Sequence, residues 1–501
     1  MIAKDNQPFQ IVEDEGFQHF IKTAIPLYKV PGRKSITRLM EEKYELLSMV
    51  IKSKLSAVNA ITLTTDVWTD TLNTRSYLGM TAHFISEAKL QSVMLGVTLL
   101  EERHTADYLS EWLLNTCTQW RIAIEKVVAV ITDNGANILK AVNDSFGKHK
   151  HLACFAHTLN LVASKVIDEE PMVHALCEKV KALVTFFKQS VAAADELRKY
   201  TNKKLIQSVS TRWNSTYFML DRFVEISESV SGVLLKFPKS PAMLSASELQ
   251  LARETIQILK PVESASREAC GQTYVTASRV IPLINFLKNK IDTLETNLTT
   301  SGGIKLRVLL LANFEKRFGK VEYTTLLAVS TILDPRFKKL YFNSPLAYSQ
   351  ALQKIIREMK LVSKESLNVQ NKENLIPEKE LSNDDSLWSY HESLLSKYQT
   401  ANEEDTSSGN EIPADLKHYL NQSTSKLNDD PLNYWHNNNI YPILSQVAHR
   451  YLSIVATSVP SERLFSKAGN IVTERRNRLS PTHLQQLLFL SSLAYKDWLN
   501  D

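Results

Sequence analysis

Apolar residues recur at helical spacing at the start of the chain and switch to a strand-like period near residue 60. Phe17, Phe20, Ile21 and Ala24 mark a first helix, and a second is expected over residues 35–54. Pro31-Gly32 breaks the two apart. Residues 60–65, rich in Ile, Leu and Thr, predict a strand, and strands follow over 76–85 and 90–99. Thr105 caps a helix that continues to residue 119, with Asp107 in its first turn. Residues 126–132 are almost continuously apolar, the pattern of a strand covered on both faces. A helix over 136–142, a short fifth strand over 151–155 and a helix from 157 follow. The order of three strands, helix, strand, helix, strand matches an α/β unit with a mixed sheet.

From residue 165 to 435 the pattern is almost wholly helical, as in 173–189, 247–269, 277–294 and 305–318. A block this long cannot be a loop of the sheet unit, so it is expected to be an all-α domain of its own. The expected organisation is an N-terminal helical segment over 1–57, a sheet unit over 58–165, a helical domain over 166–437 and a C-terminal region over 438–501. Helices over 441–454 and 481–498 belong to the last region. Residues 364–385 and 400–411 are rich in Asn, Ser, Glu and Asp and poor in aromatics, and they read as flexible.

Composition narrows the class without choosing a function. With 501 residues the chain exceeds one ordinary core, and 44% hydrophobic with 23% charged residues is a soluble globular balance. The formal charge of +5 permits nucleic-acid binding but does not argue for it. Cys117, Cys154, Cys177 and Cys270 have no disulfide-framework spacing, which fits a reducing compartment, cytosol or nucleus. The polar start lacks the apolar stretch of a signal peptide, and no run approaches the length of a membrane span.

The candidate chemistry lies in carboxylates. Ile61-Thr62-Leu63-Thr64-Thr65-Asp66 and Val127-Val128-Ala129-Val130-Ile131-Thr132-Asp133 each end an apolar run on an aspartate. At the carboxyl ends of adjacent strands, about 5 Å apart, two such side chains can share a metal. Glu462, in Ser461-Glu462-Arg463-Leu464-Phe465-Ser466, is the candidate for a third carboxylate. Magnesium suits such a set, because it takes a few carboxylates and keeps its other positions for water and phosphate oxygens. Two divalent ions about 3.5–4 Å apart would clamp the attacking and leaving oxygens of a phosphodiester. The plain alternative is that a strand-ending Asp caps a turn, for which Asp133-Asn134-Gly135 is a fair signal, and Asp70 competes with Asp66.

Six blocks, in order, resemble the hAT superfamily of transposases and the host proteins derived from them, including the BED-finger group. They are Thr65-Asp66-Val67-Trp68-Thr69-Asp70, Thr132-Asp133-Asn134-Gly135-Ala136-Asn137, Cys154-Phe155-Ala156-His157, Thr211-Arg212-Trp213-Asn214-Ser215, Leu333-Asp334-Pro335-Arg336-Phe337, and the stretch from Ala456-Thr457-Ser458 through Ser461-Glu462-Arg463 to Arg478-Leu479-Ser480-Pro481. The resemblance implies an RNase H-like mixed-sheet domain interrupted by a large helical insertion, with dimerisation helices at the C-terminal end. It implies that Asp66, Asp133 and Glu462 form a DDE triad holding Mg2+ (or Mn2+) for DNA cleavage and strand transfer.

The resemblance also implies DNA and a second copy of the chain as partners, and the nucleus as the place of action. Trp213 resembles the family's base-stacking tryptophan, with a core tryptophan at a domain joint as the alternative. Arg212 and His157 are further candidate DNA contacts. Cys154 and His157 make half a zinc site, and a buried structural pair is the competing reading. Asp334 is expected to cap a turn with Pro335. Arg475-Arg476-Asn477-Arg478 is a basic run suited to phosphates or nuclear import, or else a solvated helix end. No Cys-x-x-Cys with a following His pair precedes residue 57, so no BED finger and no zinc are expected in this chain. A domesticated, non-catalytic DNA-binding regulator is the alternative to an active transposase. Leu484, Leu487, Leu488 and Leu490 fit either a partner face or plain core.

Overall fold

The computed structural model describes residues 1–70, 75–209, 212–270, 276–373, 412–459, 461 and 480–499. A five-stranded sheet has the order β3-β2-β1-β4-β5, with β1 Ile61–Asp70, β2 Arg75–Ser86, β3 Lys89–Leu100, β4 Val127–Thr132 and β5 His151–Ala153. β1, β2 and β3 form an antiparallel meander, while β4 and β5 run parallel to β1. The mixed sheet expected from the sequence is thus present, with helices Ala106–Gln119 and Ala136–Phe146 on either side of β4 in the chain. Thr105 caps the first of these, its side chain accepting from the Tyr108 amide.

β1 is longer than the 60–65 expected, and Asp66 does not end it. The hairpin with β2 carries pairing on to Asp70 opposite Arg75, whereas pairing with β4 stops at Thr64 opposite Ile131. The hairpin partner supplies ladder hydrogen bonds after β4 has ended, so β1 stays extended.

Each face of the sheet has its own core. On one, Ile61, Leu63, Val127 and Val130 pack with helix Arg33–Ala57 and with Leu484, Leu487, Leu488 and Leu490 of helix Pro481–Ser492. Those four leucines are core, not a free partner face. On the other, Ala129, Ile131 and Leu152 join the long helical block. Every residue of β4 is buried, as a strand covered on both faces requires.

Helix Phe155–Glu169 runs through the expected boundary at residue 165 and packs Val162, Ala163 and Val166 into the helical core. Helix Ala246–Ala269 opens with a capping box between Ser245 and Glu248. Helix Pro345–Glu373 extends into the stretch expected to be flexible, so residues 364–373 are helical. Residues 374–411 lie outside the described residues. No helix among the described residues is long and apolar enough to cross a membrane.

Candidate active site

The parallel register aligns the stretches of β1 and β4 that lead to the two aspartates. Thr62 faces Ala129 and Thr64 faces Ile131. Two residues further on, β1 carries Asp66. Side chains alternate along a strand, so Thr62, Thr64 and Asp66 share one face of β1. β4 ends at Thr132, and Asp133 is the first residue of the turn that follows it.

Each carboxylate is held by the backbone beside it. Asp66, 8% exposed, accepts the Val67 amide on Oδ1 at 2.9 Å. Asp133, half-buried, accepts the Gly135 amide on Oδ1 at 3.0 Å. The chain turns there through Asn134, whose φ of 71° is the left-handed region that Asn tolerates well. The turn reading of Asp133-Asn134-Gly135 therefore holds, and it occupies one oxygen of the carboxylate. Asp70 is four residues further along, at the hairpin end opposite Arg75 and beyond the reach of β4 pairing.

Glu462 lies outside the described residues, as do Arg475, Arg476 and Arg478. The segment leading to Glu462 is fully described up to residue 459, and again at Ser461. Ile454 to Ser458 are buried, and so is Ser461. The segment is stitched to three distant parts of the fold. The Ala277 amide donates to the Ile454 carbonyl, and the Ala456 amide donates to Thr276 Oγ1 at 2.7 Å. The Phe155 amide donates to the Ala456 carbonyl at 2.9 Å, and the Ser458 amide donates to Cys154 Sγ at 3.3 Å. Ser461 Oγ lies 2.9 Å from Thr64 Oγ1 and also donates to the Thr64 carbonyl at 3.2 Å. The residue immediately before Glu462 is thus fixed to β1, two positions before Asp66 and on its face.

A buried polar chain continues from this contact across the sheet. Thr64 Oγ1 lies 3.1 Å from His83 Nε2, and His83 Nδ1 lies 2.7 Å from Ser92 Oγ. His83 is fully buried on β2, and burial pushes its imidazole down to about 3, so the ring is neutral at physiological pH. A neutral ring donates from one nitrogen and accepts on the other, which suits a hydroxyl at each end. Sequence reasoning missed Thr64, His83, Ser92 and Ser461. The available signal was the alternation of Thr62 and Thr64 with Ile61 and Leu63. It puts a polar stripe on a strand with both faces covered, and such a stripe needs a partner.

The other candidates fall into structural settings. Cys154 is buried and caps helix Phe155–Glu169, its sulfur accepting the His157 amide at 3.4 Å as well as Ser458. It joins the end of β5 to the C-terminal segment, and His157 is half-buried one turn into the helix. Trp213 is 4% exposed, and its amide donates to Asn160 Oδ1 at 3.1 Å, which places the indole in the core at the joint between two helices. Arg212 beside it is exposed. Trp68 stacks on Tyr77, its neighbour across the hairpin, with ring centroids 5.5 Å apart. Asp334 caps its turn through the Arg336 amide, but it also forms a fully buried ion pair with the Arg336 guanidinium and accepts from Ser278.

The donors at the strand ends are carboxylate oxygens, hard ligands of the kind magnesium takes. Cys154, a soft donor just after β5, has its sulfur engaged by two amides. Among the described residues, no three His, Cys, Asp or Glu side chains form a metal-ligand cluster, and Glu462 is not among those residues.

Comparison with known proteins follows the same architecture. Residues 64–157 match the ZBED1 RNase-like domain, residues 152–258 the ZBED1 RNase-like helical domain, and residues 415–493 the hAT family C-terminal dimerisation region. Over 98% of its length the chain is 27% identical to human zinc finger BED domain-containing protein 4, and over 99% it is 27% identical to a putative AC transposase of Zea mays. Human zinc finger BED domain-containing protein 6 is 25% identical over 98% of the chain. The chain spans 42%, 64% and 54% of the lengths of these three relatives. In chain order, then, this protein carries an RNase-like domain, a helical domain and a hAT-type C-terminal dimerisation region, and it is similar over nearly its whole length to AC transposases and BED-finger proteins.

Proposed function

We propose that the chain is the core of a hAT-type DNA transposase, cleaving and transferring DNA strands with Asp66, Asp133 and Glu462 as its metal-binding carboxylates. The observation that carries this reading is the anchoring of Ser461 on Thr64. It ties a segment almost four hundred residues away in sequence to β1, two positions before Asp66. Glu462 is the next residue in the chain after Ser461.

Magnesium, when bound, would polarise the scissile phosphate and stabilise the oxygens that attack and leave. The chain's own contribution is orientation. The Val67 and Gly135 amides each fix one carboxylate, and the buried residues 454–458 with Ser461 anchor the chain just before the third. Arg212 and His157 contact DNA phosphates beside this end. Trp213 stacks on an extruded base only once its packing at the joint opens, since it is buried here. Self-association through residues 415–493 and action in the nucleus belong to the same proposal.

The second reading is a domesticated, non-catalytic nuclear DNA-binding regulator. It is favoured by the BED zinc-finger proteins among the relatives. A magnesium-dependent nicking assay on DNA carrying the flanking inverted repeats separates the two. The transposase reading expects nicking by the wild type and none by Asp133→Asn or Glu462→Gln. A folded wild type that binds this DNA without nicking it sinks the catalytic reading in favour of the regulator.

A further inference from the structure

Seven cationic side chains line one continuous groove along the outer edge of the sheet. β5 is an edge strand, paired only with β4. Beside its free edge lies a cavity of about 490 Å³, bounded by all three β5 residues and by Asn134, the neighbour of Asp133. His151 and Thr324 also line a second cavity, of about 1130 Å³, which continues past the amino-terminal ends of β4 and β5. The two cavities form a track from the acidic end of the sheet to the opposite end.

Charge along this track is lopsided. The larger cavity is lined by Lys148, Lys150, Lys354, Arg357 and Arg450, and by the single carboxylate of Glu358. The smaller adds Arg317 and Lys320 and, among the described residues, no acid. Over the whole chain, 59 Lys and Arg face 54 Asp and Glu, so this imbalance is local. Glu358 does not neutralise it, because that carboxylate is already shared between Lys354 at 2.7 Å and Arg450 at 3.6 Å. Burial and the neighbouring Arg450 both push the Lys150 ammonium down from its usual range. A groove that crowds cations without acids is stabilised by an anion entering it.

We propose that this groove holds the phosphodiester backbone of a DNA strand running between the acidic end and the far end of the sheet. The larger cavity alone exceeds the usual size of small-molecule sites, which is about 300–1000 Å³, so an extended polyanion fits better than one free phosphate. The composition also changes along the track. Near Asn134 the walls include Phe155, Val280, Phe318 and Leu327, suited to base and sugar. At the far end the walls are cationic, suited to phosphates. This inference rests on the transposase-core reading for the direction of the strand, but binding and cleavage are measured separately.

The test is DNA binding by the full chain, followed by fluorescence anisotropy over a range of salt concentrations in EDTA, where cleavage cannot occur. A groove variant, Lys148→Gln with Lys320→Gln and Arg357→Gln, removes three exposed charges spaced along the track. A control, Lys239→Gln with Lys260→Gln and Lys305→Gln, removes the same charge at exposed sites outside it. The groove variant is expected to bind about tenfold or more weakly at moderate salt, and its log K against log salt slope should flatten by about 2. The control should bind as the wild type does. Unchanged binding by the groove variant, equal weakening in the control, or no binding by the wild type would each overturn the proposal. Groove-dependent binding without magnesium-dependent nicking would uphold the groove and reject the catalytic reading. Nicking with groove-independent binding would do the reverse.

Discussion

The two ends of the central sheet are built to opposite specifications. Where β1 carries Asp66 and the turn after β4 carries Asp133, residues 454–458 and Ser461 are buried and bonded to three separate parts of the fold. At the end where β4 and β5 begin, five cations surround an open cleft with one carboxylate. A site that positions reacting atoms needs its side chains fixed by neighbours whose own positions are set. A surface that grips a polyanion needs charge density more than fixed geometry. In the proposed function one end does the chemistry and the other grips DNA, and each proposal can be broken separately.

The largest expected effect is at the acidic end. Asp133→Asn should lower DNA cleavage by about 10³-fold or more, the scale of losing a stabiliser of transition-state charge. DNA affinity in EDTA should stay within about twofold of the wild type, since a carboxylate away from the cations adds little grip. An Asp133→Asn protein whose binding falls as far as its cleavage would erase the division between the ends. Next is the polar chain. Thr64→Val keeps the shape but leaves His83 Nε2 without its partner and Ser461 Oγ with only the residue-64 carbonyl, at a cost of about 1–3 kcal/mol in a chemical-denaturation titration. Loosening the approach of Glu462 should also reduce cleavage by about 10–100-fold, as loss of outer-shell support does at metal sites. A stability loss with cleavage unchanged would show that the chain holds the fold but not the site.

A pH effect sharpens the same point. His83 is neutral in the fold down to about 3, whereas unfolded His titrates near 6.5. Between these values the unfolded state binds the extra proton, so stability falls as pH falls through that window and is level above it. The expected loss is about 2 kcal/mol between pH 7 and pH 5, seen as a lower denaturation midpoint. His83→Gln should remove this component of the slope. His151 in the cleft is also pushed down by burial and lies 2.9 Å from Thr132 Oγ1, but the groove substitutions leave it in place and should leave the pH slope alone. The groove substitutions themselves are expected to have the smallest effect on the fold, because the three side chains changed are exposed.

How much of this could be read from the sequence divides along the same line. Local order was legible. The apolar runs, Pro31-Gly32, the Thr105 cap and the continuous apolar 127–132 stretch each act through neighbours in sequence, and the elements formed near the expected places. Asp66 and Asp133 were legible as candidates because each follows an apolar run, although the same pattern also marks a turn cap. The register that pairs their strands was not legible, nor was the extension of β1 to Asp70, because both depend on which strand lies alongside. The Thr64, His83, Ser92 and Ser461 chain was invisible for the same reason, since each is an ordinary strand or helix residue until the fold juxtaposes them. The basic groove is the extreme case. Its cations come from 148–150, 317–320, 354–357 and 450, and a net charge of +5 gives no sign that they meet.

The central claim is that carboxylates from three distant stretches of chain converge at the carboxyl end of β1 and β4. Iron-mediated backbone cleavage tests it most directly. Fe2+ replaces magnesium in carboxylate sites, and with ascorbate and peroxide it cuts the polypeptide locally. The account predicts cuts near residues 66, 133 and 462, all suppressed by excess magnesium and all lost in Asp133→Asn. Cuts near 66 and 133 without one near 462, or no magnesium-sensitive cutting at all, would contradict it.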